Sequence, residues 1–332
     1  MVPANDLASQ SHGTETGCMI GSGSAMEGVK HSLAKVSLSS CTVLITGETG
    51  TGKEVAAEFI HRNSTRRSHP FACINCAAIP DSLIESELFG HTRGAFTGAE
   101  SVYDGLLSSA NCGTIFLDEI GDMSLFAQAK ILRVIEKKEI CRVGGTRSTK
   151  LDVRFIAATN QDLESMCRRG LFRKDLFFRL NVARVHIPPL RDRREDIPSL
   201  LKYYCHEFRR NSGLPAAQFS EDCLRSLLAY DWPGNIRELK NLVETLCLEE
   251  GLPRIERSHL PTHLHALVSP DSTHSGSNGS SRERETLISA LSTANWNKSE
   301  AAKSLHWSRM TLYRKMAKYK LSQAALPEMD RA

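Results

Sequence analysis

The chain has 332 residues, 41% hydrophobic and 24% charged, a globular balance that predicts about two domains and argues against a mainly disordered, collagenous or membrane chain. Its longest apolar runs are short stretches such as 43–45 and 115–117, far below the ~20 residues of a membrane-spanning helix. The net charge of +4 is unevenly placed: residues 281–322 carry nine Lys/Arg against three acids, a local +6 that leaves −2 for the rest, so a polyanionic partner is expected at the tail.

Residues 1–17 are polar, without hydrophobic period and without the basic and apolar regions of a signal peptide, and read as a flexible leader. From residue 18 to about 189, short β-branched runs at 42–46, 71–75, 114–117 and 153–158 alternate with helical patterns such as 54–61 and 125–137. That alternation predicts an α/β domain, a parallel sheet covered by helices. Past Pro188 and Pro189 the strands stop, and helical periodicity at 197–210, 221–230 and 236–249 predicts a helical subdomain over 190–262. A Ser, Gly, Asn and Thr-rich stretch at 263–281 reads as a linker, followed by a basic all-helical segment at 282–322 and a short tail at 323–332.

The ten cysteines are scattered through these elements and form no disulfide framework, which predicts the reduced thiols of a cytoplasmic protein. Cys73 and Cys76 form the single C-x-x-C. Three residues apart on a strand, they face opposite ways, which disfavours joint metal binding, and no second pair completes a zinc site.

After the first strand the chain reads Gly47-Glu48-Thr49-Gly50-Thr51-Gly52-Lys53-Glu54. Glycines at this spacing let backbone N–H groups curl around a phosphate at a helix N-terminus, and Lys53 reaches the β- and γ-phosphates of a nucleotide. The Ser or Thr that usually follows the lysine is here Glu54. The strand at 115–117 ends in Asp118 and Glu119, the pattern in which the Asp holds Mg²⁺ and the Glu orients an attacking water; two solvated acids at a strand end are the plainer reading. The strand at 154–158 ends in Thr159 and Asn160, polar groups able to contact a γ-phosphate. In an open parallel sheet ligands bind at the carboxyl ends of the strands, and all three motifs lie there, so the expected ligand is a nucleotide with Mg²⁺, which the resemblance given next makes ATP.

Gly94-Ala95-Phe96-Thr97-Gly98-Ala99, preceded by Glu87-Leu88-Phe89-Gly90, is a glycine-bounded loop with an exposed-looking Phe and Thr. With this loop the sequence resembles the bacterial enhancer-binding activators of sigma-54 RNA polymerase, a branch of the AAA+ ATPases, from about residue 20 to 321. The resemblance implies that Phe96 and Thr97 form the tip that engages sigma-54 when ATP is bound, and that Glu54 after the lysine is usual. It adds Ile20 and Gly21 to the nucleotide site. It makes Asn75 the residue that restrains Glu119, Gly144 and Gly145 part of a second surface loop moving with the first, and Arg173 and Arg179 arginine fingers that reach a neighbouring subunit's nucleotide. Fingers imply a ring, usually a hexamer; surface arginines paired with Asp175 are the alternative. Asn235 and Glu238 stand at capping-box spacing at the start of a helix, and the resemblance makes Arg237 the nucleotide-sensing arginine of the lid.

In the tail, Asn297 with Glu300 three residues on can cap a helix whose Ala301, Ala302 and Leu305 are apolar. A second helix at 309–320 places Leu312, Met316 and Tyr319 on one face and Thr311, Arg314, Lys315 and Lys318 on the other, a stripe suited to a major groove. This pair resembles the Fis-type helix-turn-helix that ends these activators, with Lys298, Ser308 and Arg309 added as DNA contacts and His306 where the family commonly has Gly. Seventeen leading residues cannot hold a receiver or ligand-sensing domain, so regulation by a protein in trans, by expression level, or a truncated chain all stay open. The expected function is ATP-driven remodelling of the closed promoter complex by a chain bound to upstream double-stranded DNA, with no membrane partner. The rival readings are a DNA-binding repressor whose nucleotide site controls assembly, and a general AAA+ remodeller whose tail binds protein.

Overall fold

A computed structural model describes residues 19–96, 98–213, 217–248 and 254–265, and in the tail 287–292, 294, 296–298, 300–301, 305, 312, 315–316, 319 and 321. The first part runs α1 (Ser24–Ser37), β1 (Val43–Thr46), α2 (Lys53–Arg62), β2 (Phe71–Asn75), α3 (Asp81–Phe89), α4 (Leu106–Ser109), β3 (Thr114–Asp118) and α5 (Leu125–Lys137). It continues through β4 (Glu139–Cys141), β5 (Ser148–Lys150), β6 (Arg154–Thr159), α6 (Leu163–Arg168), α7 (Lys174–Leu180) and β7 (Ala183–His186). Five strands form one parallel sheet in the order β2-β3-β6-β1-β7.

Helices cover both faces of this sheet, so β1 and β6 are buried along their whole length and read as continuous apolar runs. The two-residue period divides each strand between two cores. Leu44, Ile115, Leu117, Phe155 and Ala157 join α3, α5 and α7, while Val43, Ile45, Phe116, Ile156 and Val185 join α1 and α2. Arg154, 3% exposed at the start of β6, donates to the carbonyls of Val36 (2.7 Å) and Ser37 (3.3 Å). It thereby satisfies acceptors that the end of α1 leaves without helical partners. Side-chain caps start α5 at Ser124 and α6 at Asp162. Because the strands are parallel, β1, β3 and β6 end on one edge.

Beyond β7 come α8 (Ile197–Ser212), β8 (Gln218–Phe219), α9 (Glu221–Ala229), α10 (Asn235–Leu248), β9 (Arg254–Ile255) and α11 (Thr262–His265). The expectation of helices alone needs one correction: β8 and β9 make a short parallel ladder, continued where the Ser220 amide donates to the Ile255 carbonyl (2.9 Å). The helices enclose Trp232, 1% exposed, with Leu227, Leu239 and Val243. The Trp232 indole N–H is satisfied by the Leu227 carbonyl at 3.0 Å, so the largest side chain of this core is buried without an orphaned donor.

Residues 269–332 form a separate compact unit. Its described residues cluster Leu287, Leu291, Ala301, Leu312 and Met316, with Leu305 and Tyr319 against them. The Glu300 amide donates to Asn297 Oδ1 at 3.4 Å, the expected cap. Lys298 is exposed and Lys315 half-buried. Ala302, His306, Ser308, Arg309, Thr311, Arg314 and Lys318 lie outside the described residues, as do the leader, residues 266–281 of the linker and residues 322–332.

Candidate nucleotide-binding site

The segment after β1 wraps back on itself as a loop. The Gly47 amide donates to the Thr159 carbonyl (3.3 Å), and Thr51 Oγ1 donates to the Glu48 carbonyl (2.8 Å). Gly50 has φ +80°, and a Cβ there would stand 2.3 Å from the Gly234 carbonyl oxygen. Glycine is required at this point both by the left-handed backbone and by the approach of the lid. Lys53, 6% exposed, opens α2 and turns its ammonium into the loop, donating to the carbonyls of Gly47 (3.1 Å) and Glu48 (3.4 Å) and pairing with Glu119 Oε1 (3.2 Å).

Asp118 and Glu119 end β3 beside this ammonium. Burial, reinforced by the adjacent Glu119 carboxylate, pushes the Asp118 carboxyl above its ordinary value. Asp118 Oδ1 is buried with no hydrogen-bond partner. An orphaned, partly desolvated carboxylate oxygen is a hard anionic donor suited to Mg²⁺, so the chemistry of Asp118 fits such an ion. Glu119 sits at φ +48°, ψ +51°, left-handed geometry that a non-glycine residue holds at a cost of roughly 1–2 kcal/mol. The main chain is held there while its carboxylate bridges Lys53 and the Asn160 amide (3.1 Å). Asn160 Nδ2 in turn donates to Thr49 Oγ1 (2.8 Å), joining the ends of β6 and β3 to the loop.

Thr49, Lys53, Asp118 and Glu119 line a cleft of about 820 Å³ between sheet and lid. Its walls include Ile20, Thr49 to Lys53, Glu54, Asp118, Glu119, Arg193, Tyr204 and Arg237. Thr159 is fully buried behind them, its Oγ1 accepting from the Gln161 amide. Gly21 has its carbonyl taken by Lys30 Nζ.

The phosphate-loop region, residues 19–186, matches the sigma-54 interaction domain. Residues 191–277 match an AAA+ ATPase lid domain, and residues 281–319 match the bacterial regulatory proteins of the Fis family. The chain belongs to the sigma-54 activator family. It is 42% identical over 326 residues to the DNA-binding transcriptional regulator NtrC of Proteus hauseri, covering 90% of this chain and 69% of that one. It is 48% identical over 244 residues to the regulatory protein AtoC of Escherichia coli, covering 74% and 53% respectively. A crystal structure of NtrX from Brucella abortus in complex with ATP superposes with a TM-score of 0.69 at 33% identity, over 92% of this chain and 70% of that one. The fold is therefore that of a sigma-54 activator: an AAA+ parallel-sheet core, a helical lid and a C-terminal helix-turn-helix.

Within this activator, several side chains stand elsewhere than the sequence suggests. Asn75 does not hold Glu119: its Oδ1 accepts from the Ala77 amide (2.9 Å), while Glu119 is taken by Lys53 and Asn160. The Glu48 side chain turns away from the cleft to Arg191, which donates twice to it (2.9 and 2.5 Å) and draws its carboxyl below the ordinary value. Asn235 does not cap its own helix; its amide spans loop and lid, and Glu238 instead accepts from the Gly234 amide (2.8 Å). Arg173 pairs with Asp175, the alternative that the sequence reading gave, and Arg179 with Glu136, both exposed.

The sigma-54-type loop is closed at its base by Gly94 N–H to the Ala99 carbonyl (2.9 Å). Gly98, like Gly94, has positive φ. Phe96 is 42% exposed and stands edge-on to His91, centroids 5.0 Å apart; Thr97 lies outside the described residues. The β4–β5 hairpin backs this loop. Thr92 N–H donates to the Val143 carbonyl (3.0 Å) and Val143 N–H to the Gly90 carbonyl (2.9 Å), and a Cβ on Gly144 would come within 2.8 Å of the Ala95 Cβ.

Sequence reasoning missed Arg193 and Tyr204. Arg193, 2% exposed, donates to the Thr51 carbonyl (2.9 Å) and to Met26 Sδ (2.8 Å). Burial pushes the Tyr204 phenol to about 12. A signal for Arg193 was present: the charged run at 191–196 comes four residues after β7, on the edge of the sheet where ligands bind. Among the described residues no group of three or more His, Cys, Asp and Glu is placed to hold a metal, and no described cysteine is in a disulfide. No helix among the described residues is long and apolar enough to cross a membrane.

Proposed function

We propose that this chain binds ATP with Mg²⁺ in the cleft between sheet and lid and hydrolyses it to remodel sigma-54 RNA polymerase at a promoter, from DNA bound through residues 282–322. The observation that carries this reading is the convergence of Lys53, Asp118 and Glu119 under the lid, with Lys53 within 3.2 Å of Glu119. The ATP bound by NtrX supports the choice of nucleotide. Lys53 neutralises phosphate charge; an incoming phosphate competes with Glu119 for the ammonium, and the Glu119 carboxylate so released orients the attacking water. Asp118 would hold Mg²⁺, which supplies charge neutralisation at the β- and γ-phosphates when bound. Gly47 and Glu48 enter through their backbones, Gly50 and Gly52 by letting the loop turn, and Thr49, Thr51, Glu54, Ile20, Arg237 and Asn160 as walls and tethers of the cleft.

Residues 18–189 are then the motor core, 190–262 the lid and 263–281 a linker. Arg173 and Arg179, each on an exposed ion pair, are free to exchange Asp175 and Glu136 for a neighbouring subunit's nucleotide in a cytoplasmic homo-oligomeric ring. Asn75 would engage Glu119 in a conformation other than this one. Phe96 and Thr97, with Gly94, Ala95, Gly98 and Ala99 shaping the loop, are the contact with sigma-54. In the tail, Lys298, Ser308, Arg309, Thr311, Arg314, Lys315 and Lys318 meet the DNA.

The test is open-complex formation by purified sigma-54 polymerase with ATP, comparing the parent chain with Lys53→Ala and Thr97→Ala. Loss of opening and of hydrolysis in the first, and of opening alone in the second, is the expected result. A parent that binds DNA but never hydrolyses ATP would favour a repressor. One that hydrolyses ATP without preferring any DNA would favour a remodeller of other proteins.

A further inference from the structure

Asn235 is fully buried and sits at φ +51° at the first position of α10. Its Oδ1 accepts from the Leu190 amide (2.7 Å), and its Nδ2 donates to Glu48 Oε2 (3.2 Å) and to the Thr49 carbonyl (3.1 Å). One small amide thus ties together the phosphate loop, the segment entering α8 and the start of α10. The next residue adds a backbone tie, Ile236 N–H to the Gly50 carbonyl (2.9 Å). Glu48 is the other half of the junction. Its carboxylate accepts from Asn235 and, twice, from Arg191, next in sequence to Leu190.

The chemistry of this junction is selective. The side chain at 235 must accept from an N–H on one side and donate to a carboxylate and a carbonyl on the other, which a neutral carboxamide does. An aspartate would keep the Leu190 contact but set a carboxylate against Glu48 and the Thr49 carbonyl in a buried place, where an unpaired like charge is costly. Arg237 lies two residues further along α10 on the wall of the cleft. Where the phosphate loop goes, this end of the lid follows.

We propose that Asn235 is a positioning residue for ATP turnover: through Glu48 it locks the start of α10, and hence Arg237, in register with the phosphate loop, so that loop and lid move as one body. The Glu48 side chain on this view docks the lid and is not a phosphate ligand, whatever its backbone contributes. The inference rests on the reading of the cleft as an ATPase site.

The experiment uses the full chain and exchanges donor for acceptor across the junction: Asn235→Asp, Glu48→Gln and the double variant. In the double variant the carboxamide introduced at position 48 can donate to the carboxylate introduced at position 235. Two readouts are taken, kcat and KM for ATP, and amide hydrogen exchange over the first turn of α10 without nucleotide, with thermal melting to establish that each variant folds. Asn235→Asp alone is expected to lower kcat/KM by about thirtyfold or more and to lose protection in that turn. The double variant is expected to regain at least about tenfold in kcat/KM, a coupling within the range of contacting pairs, and to recover protection. A role confined to lid stability would lower the melting temperature without that recovery. A double variant no better than Asn235→Asp in both readouts overturns the proposal. A parent without turnover, in which protection still follows the exchange, would overturn the ATPase reading and leave the junction standing.

Discussion

Replacing Gly50 by alanine isolates the contact between phosphate loop and lid. The new Cβ would lie 2.3 Å from the Gly234 carbonyl oxygen and 3.1 Å from the Arg237 Cβ. Both neighbours belong to the lid, and the first is backbone, so no side-chain rotation relieves it. Restoring even a 3.0 Å separation requires the lid to retreat by about 0.7 Å in a close-packed junction. That retreat lengthens the 2.9 Å bond from Ile236 N–H to the Gly50 carbonyl to about 3.6 Å, past hydrogen-bond range. Left-handed geometry at φ +80° adds roughly 1–2 kcal/mol for a residue with a Cβ, and the half-buried Ile236 donor, left without its acceptor, about 1–3 kcal/mol. The sum, about 2–5 kcal/mol, falls on lid docking, and a ligand held between loop and lid should bind at least ~30-fold more weakly. Titration with a fluorescent ATP analogue reads this directly. Gly28→Ala is the control, since it lies within α1 with nothing within 4 Å of its Cβ, and it should leave affinity unchanged and raise stability by about 0.5–1 kcal/mol. A Gly50→Ala protein that folds and binds the analogue within about twofold of the parent would refute the argument.

Asp118→Asn should raise the melting temperature of the nucleotide-free protein at neutral pH while abolishing Mg²⁺-dependent turnover. Because the folded-state pKa is raised above 3.8, the native state favours the protonated form. Stability is therefore lost as pH climbs from that ordinary value through the folded one, and the gain from Asn should vanish below about pH 4; an equal gain at pH 3 and pH 7 would contradict this. Phe96→Ala, at a side chain 42% exposed, should cost under ~1 kcal/mol in chemical denaturation and keep ATP hydrolysis while losing promoter opening. Trp232→Ala should cost about 3–5 kcal/mol, measured by urea unfolding of the lid, since its buried ring and satisfied indole N–H have no substitute.

The parallel sheet was legible in the sequence because β1, β3 and β6 are buried on both faces and so appear as short apolar runs, with the loop to Lys53 after β1, Asp118 closing β3 and Asn160 following β6. Chain-local patterns of this kind need no knowledge of what packs against them. The helix starts of the lid were legible for the same reason, and so was the Asn297 cap in the tail. The β8–β9 ladder was not, because each strand has two residues and shows no period of its own.

What the tertiary structure alone decided are the partners of polar side chains with more than one use. Asn235 and Glu238 stand at capping spacing, yet the lid docks so closely on Gly50 that Asn235 meets the phosphate loop before its own helix, and Glu238 closes on Gly234 instead. Glu48 sits inside a phosphate-binding motif, yet Arg191, 143 residues away, reaches its carboxylate with a charge-assisted pair of bonds. Arg193 gave no periodic signal, since its site is made by the Thr51 carbonyl and Met26 from two other segments. Short-range spacing and hydrophobic period determined the elements and the edge at which the cleft lies. Contacts between residues far apart in sequence determined which polar groups face the cleft and which hold the lid.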